Sequence, residues 1–87
     1  MNGHHLDSMN IDISFFLKQA NSIIDQYIED RDLNYLQRSI PILDNAIRYF
    51  PNSNAAHDYR AWCHTKLGNI ELADLDAKRA IEIESKD

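Results

Sequence analysis

Shifted against itself by 34 residues, the sequence superposes Ala46-Ile47 on Ala80-Ile81, Ser39 on Ala73, Leu43 on Ala77, Tyr27 on Ala61, Ser22 on Ala56 and Pro51 on Ser85. Small residues recur where two helices must approach closely, and apolar residues fall between them. Such a unit cannot bury its apolar face alone and has to stack on a copy of itself. A chain of 87 residues holds two units of this size and leaves no room for a second domain.

The local pattern is helical throughout. Ile11, Phe15, Phe16, Ala20, Ile23, Ile24, Tyr27 and Ile28 follow one another at steps of one, three and four, which predicts a first helix over about residues 13 to 31 with Asp12 or Ser14 at its cap. A second stripe, Tyr35, Leu36, Ser39, Ile40, Leu43, Ala46, Ile47 and Phe50, predicts a helix from 34 to 49, with Asn34 and Gln37 spaced as a capping box. Pro41 sits too deep for the first turn, removes one amide and presses on the Gln37 carbonyl, so a kink is expected there, with a later start at Ser39 as the alternative. Pro51-Asn52-Ser53 stops this helix. A third is predicted over 54 to 66, ended by Gly68, and a fourth follows Asn69 through Leu72, Ala73, Ala77, Ala80 and Ile83. Short connections make successive helices antiparallel, giving an all-α chain of two helical hairpins.

Composition narrows the function classes. Nine Lys and Arg against fourteen Asp and Glu give a net charge of −5, which disfavours nucleic acid and anionic membranes and favours basic protein surfaces. The single Cys63 cannot form an internal disulfide, and a small secreted chain would usually need several, so an intracellular, cytoplasmic setting is expected. No run is long enough to span a membrane, and residues 1–9 lack the basic and apolar regions of a signal peptide. Residues 1–10 read as a disordered N-terminal segment or a leader before Met9, and 11–87 as the folded domain.

The second unit, with Ala61, Leu67-Gly68-Asn69, Leu72-Ala73 and Ala80-Ile81-Glu82-Ile83-Glu84, resembles the tetratricopeptide repeat family, whose unit is a helix-turn-helix of this length. The first unit keeps Ala46-Ile47 and Pro51-Asn52 but has Tyr27, Ser39 and Asn34 where the family places two small residues and the turn glycine, and Ser85 stands for the terminal Pro of the second. The resemblance implies repeats at about 20–53 and 54–87, stacked as a short α-α superhelix that binds a peptide segment or partner protein in a concave groove. Carried onto this chain, the groove is lined by Asn21, Asp25, Ile28, Arg31 and Asp32 from the first unit and by Ala55, Asp58, Tyr59, Trp62 and Lys66 from the second. Where one subgroup holds a C-terminal carboxylate, this chain has Ile24, Ile28, Ala55 and Tyr59, so carboxylate clamping is not expected.

Tyr59 and Trp62, three residues apart, share a helix face and offer rigid aromatic anchors to a partner, or else cover Phe15 and Phe16. Asp25, Asp32 and Asp58 would give the groove an acidic rim biased toward Lys- or Arg-bearing ligands. His57, Cys63 and His64 do not make a metal site, because His57 and His64 are two turns, about 10.5 Å, apart and Cys63 points about 100° away from His64. No phosphate loop, catalytic triad or cofactor motif occurs, so neither catalysis nor a cofactor is expected. The competing expectation is structural: a self-associating homodimer, or a piece of a longer repeat scaffold, with Leu75, Ile81 and Ile83 of the last helix as the contact face.

Overall fold

The computed structural model describes residues 12–85 and consists of four α-helices, α1 (Ile13–Asp30), α2 (Leu33–Tyr49), α3 (Asn54–Leu67) and α4 (Ile70–Ser85), with no strand among the described residues. The segment or leader expected at residues 1–10, and Ile11 at the start of the first stripe, lie outside the described residues. No helix of the described residues is long and apolar enough to cross a membrane.

Short polar side chains start three of the helices. The Ser14 N–H donates to Asp12 Oδ1 at 3.1 Å, the Asn34 N–H to Asp32 Oδ1 at 3.0 Å and the Ala56 N–H to Ser53 Oγ at 3.2 Å, each satisfying one amide that the helix leaves free. The cap of α2 is therefore Asp32 and not Asn34. The chain reverses at Arg31, which is left-handed (φ 61°), and Asp32 is already extended, so Asn34 lies inside the first turn. At the end of α3, Gly68 (φ 86°) places its own N–H on Thr65 O and the next N–H on His64 O, at 3.1 and 2.8 Å, closing both orphan carbonyls in a Schellman arrangement. The Asn69 carbonyl accepts from Ala73 N–H to begin α4, while its side-chain amide nitrogen lies 3.3 Å from His64 Nδ1.

α2 runs through Pro41 as one helix, without the later start at Ser39. Pro41 lies on the exposed face of α2 with Gln37, whose carbonyl it leaves without a helical donor. Buried Ser39 satisfies its hydroxyl within the helix by donating to Tyr35 O at 3.1 Å.

The helices pack in chain order, α1 on α2, α2 on α3 and α3 on α4, and no comparable interface joins α1 to α4. A row of helices results, in which α3 touches both of its neighbours. One buried cluster joins Ala20, Ile24 and Tyr27 of α1 to Leu36 and Leu43 of α2 and Cys63 of α3. A second joins Phe16, Ala46 and Ala56, and the Phe16 ring stacks on Tyr49 with centroids 5.8 Å apart. Burial alone pushes the Cys63 thiol up to about 11, as befits a small core side chain.

The two reversals are 37 positions apart, Arg31 against Gly68, and not 34. At this offset the buried residues Ala20, Ile24 and Tyr27 of α1 correspond to His57, Ala61 and His64 of α3, all buried. Tyr27 thus matches His64, and the small residue Ala61 matches Ile24. The offset of 34 survives in the second helices, where Ser39 and Ala46 match Ala73 and Ala80, again all buried. Three residues, about 4.5 Å of helix, are the difference, and they sit at the beginning of α2.

Candidate functional site

α1 and α3 enclose a cleft of about 350 Å³ lined by Asn21, Ile24, Asp58, Tyr59 and Trp62. Its α3 wall follows from helix periodicity: Asp58, Tyr59 and Trp62 belong to an arc of about 100°, shared with Ala55 and Lys66, on the side opposite His57 and His64. Asn21 and Ile24 stand one turn apart on α1, with Asp25 and Ile28 on the same flank. The two walls are tied together by Asn21 Nδ2, which donates to Tyr59 Oη at 3.2 Å, and by the Tyr27 and Trp62 rings, edge to face with centroids 6.1 Å apart. Trp62 keeps 37% of its surface exposed, while Ile24 forms a buried floor. Lys66, one turn beyond Trp62, places Nζ 5.4 Å from the centre of its indole ring.

The structure therefore brings Asn21, Asp58, Tyr59 and Trp62 together with Lys66 over the Trp62 ring, while Asp25 and Ile28 do not line the cleft. Arg31 and Asp32 have other tasks: Arg31 is the left-handed residue of the turn, its guanidinium 5.8 Å from the Tyr27 ring, and the Asp32 carboxylate caps α2. Ala55 is half-buried and does not line the cleft. Phe15 and Phe16 do not cover the aromatic face, because Phe16 is drawn into the cluster at the other end of α1.

Beyond Trp62 the surface continues into a depression between α3 and α4, lined by Asp58, Ala61, Trp62, Thr65, Ile70, Ala73, Asp74 and Ala77. Asp58 and Trp62 belong to both hollows and so form the ridge between them.

The sequence reading missed a polar network on the opposite side of α3. Arg60 donates from Nε and Nη2 to the two carboxylate oxygens of Asp76, at 2.8 and 2.7 Å, and from Nη1 to Asp44 Oδ1 at 2.7 Å. His57 lies with Nδ1 3.3 Å from Asp76 Oδ1 and Nε2 3.1 Å from the Pro51 carbonyl oxygen. Burial by itself would raise the Asp76 carboxyl, but the hydrogen bonds from Arg60 and His57 outweigh it and hold the group below the usual carboxylate range. The Asp76 hydrogen bond likewise raises Arg60 against its own desolvation. The available signal was Asp76 itself, a carboxylate three residues after Ala73 and four before Ala80 on the buried stripe of α4. No buried side-chain polar atom among the described residues lacks a partner, and no three or more His, Cys, Asp or Glu among them are grouped to hold a metal ion.

On α4, Leu75 and Ile81 are 65% and 64% exposed. Six positions separate them, which sets them about 120° apart around the helix, so they flank the buried stripe from opposite sides. Half-buried Ile83 falls on the Leu75 side, where Leu72 and Leu75 border a hollow with Ile40 and His64.

No family model, curated protein or solved structure matches this chain.

Proposed function

We propose that the chain is a protein-interaction module that receives a peptide segment in the cleft between α1 and α3, in the manner its resemblance to tetratricopeptide repeats implies. The observation that carries this reading is Trp62: an indole more than a third exposed, edge to face with Tyr27 and lining one cleft with the buried side chain of Ile24. Rigid aromatic walls of this kind supply contact area with little loss of side-chain entropy and dominate many protein interfaces. Selection of 12-residue displayed peptides on the immobilised chain tests it. Enriched peptides should lose about tenfold or more in affinity for Trp62→Ala, with helicity by circular dichroism retained. Peptides that bind Trp62→Ala as well as the parent, or a lack of any enrichment, would count against the cleft.

A second reading, structural self-association, draws on the exposed Ile70, Leu72, Leu75 and Ile81 of α4. Sedimentation equilibrium decides it. A mass near that of two chains that falls after Ile81→Asp would favour a homodimer through one flank of α4, and a single-chain mass at all concentrations would remove it.

A further inference from the structure

We infer that the occupant of the cleft presents an arginine, and that its guanidinium takes the place of Lys66 on the face of Trp62. This rests on the reading of the cleft as a peptide site and adds the chemistry of what enters it. Lys66 already shows that the indole face accepts a cation, with Nζ 5.4 Å from the ring centre. Lys66 is exposed and strongly hydrated, so its hold on the ring is loose and it can be exchanged.

The carboxylate beside Trp62 favours the exchange. Asp58 has no ion-pair partner among the described residues, unlike Asp74 and Asp76 on the neighbouring α4. Asp58 is one turn before Trp62 and lines the hollows on both sides of it. A cation over the indole therefore has the Asp58 carboxylate on the same helix wall, in a chain whose net charge is already −5. Arginine suits this geometry better than lysine. Its planar group can stack on the indole while its edge donates to Asp58, and its methylenes can lie along Ile24. A compact ammonium offers a point charge without the stacking plane. Lys66 and an incoming guanidinium repel each other over one ring, which makes Lys66 a built-in competitor for the site.

Trp62 is the only tryptophan, so its emission reports the cleft directly. The probes are a capped pentapeptide, Ala-Leu-Arg-Leu-Ala, and its counterparts with citrulline or glutamate at the centre, titrated against the full chain and against Lys66→Gln and Asp58→Asn. Both substitutions are at exposed positions, and circular dichroism checks that the helices are retained. The arginine peptide is expected to bind about fivefold or more tighter than the citrulline peptide and to weaken as salt is added. Lys66→Gln should tighten it about twofold to fivefold, and Asp58→Asn should weaken it by a similar factor. Equal binding of the arginine and citrulline peptides would overturn the inference while leaving the cleft reading intact, as would preference for glutamate. Unchanged affinity in Lys66→Gln would overturn the exchange. No emission change with any of the three peptides would sink the inference and the cleft reading together.

Discussion

The two helical pairs are built alike and filled differently. α1 and α2 meet over large apolar side chains, Ile24, Tyr27, Leu36 and Leu43, whereas the buried residues of α4 are Ala73, Asp76 and Ala80. Small side chains let two helices approach closely but remove little apolar surface from water. The second pair makes up the difference with directional contacts, the forked Arg60–Asp76 pair and the neighbouring His57, and reaches back to α2 through Asp44. One architecture thus rests on shape and area in its first half and on paired charge in its second. Their responses to mutation and to pH should differ accordingly.

The largest effect is expected in the first pair. Leu43 is completely buried in the cluster shared by α1, α2 and α3. Leu43→Ala should cost about 2 to 5 kcal/mol, the lost transfer free energy plus the cavity left behind. Urea denaturation followed by circular dichroism measures it, and a loss under about 1 kcal/mol would mean that this interior is loosely filled.

Asp76→Asn probes the second pair and should cost about 2 to 3 kcal/mol at neutral pH. The figure is kept below that of a fully buried ion pair because the Arg60 side chain is 23% exposed and retains Asp44. The pH dependence identifies the source. The Asp76 carboxyl is held below its ordinary value in the folded chain, so its contribution is present above the unfolded-state pKa, near 3.9, and is lost as pH falls through the folded value. The stability difference between the parent and Asp76→Asn should therefore shrink below about pH 4, whereas the difference for Leu43→Ala should stay constant. A pH-independent gap for Asp76→Asn would show that its effect is one of packing.

The contrast between the pairs also explains what the sequence disclosed. Apolar periodicity reports helices that bury bulky side chains, and it located all four, with one boundary in each of the first three differing by one residue. Gly68 announced its role because a glycine after a helix can take the left-handed conformation that closes the last carbonyls, whereas Ser53 was read only as part of the stop after α2 and not as the cap of α3. The turn between α1 and α2 was hidden. Arg31 carries no local mark of a left-handed residue, and alignment on Ala46 and Ala80 places Asn34, three residues later, opposite Gly68. The same slip put Tyr27 where Ile24 belongs. The Arg60 network was hidden for another reason: pairing between residues 16 positions apart leaves no period, and a charged residue on a helix reads as solvated until its neighbours are known. In the cleft, spacing on one helix disclosed that Tyr59 and Trp62 share a face, whereas Asn21 and Asp58 were named beside them only through the resemblance to tetratricopeptide repeats. Asp32 was misplaced because the cap that uses its carboxylate depends on the turn.

The smallest effects test the two reversals against each other. Gly68 adopts its left-handed conformation at no steric cost, and an added Cβ there would meet nothing within 4 Å, so Gly68→Ala should be destabilising by about 1 kcal/mol through backbone conformation alone. Arg31 occupies the same region at φ 61° with a side chain that penalises it. Arg31→Gly would relieve about 1 kcal/mol of that penalty, but it adds freedom to the unfolded chain and removes a guanidinium 5.8 Å from the Tyr27 ring. These opposing contributions leave an expected net gain of no more than about 0.5 kcal/mol. Thermal denaturation of the two variants side by side gives the comparison its finest form. Opposite signs would mean that the reversals share one backbone constraint, met by glycine in the second pair and only tolerated in the first. Clear destabilisation by both would show instead that the Arg31 side chain, spread over Tyr27, holds the end of α1 in place, and that the first pair uses a side-chain contact where the second relies on backbone freedom.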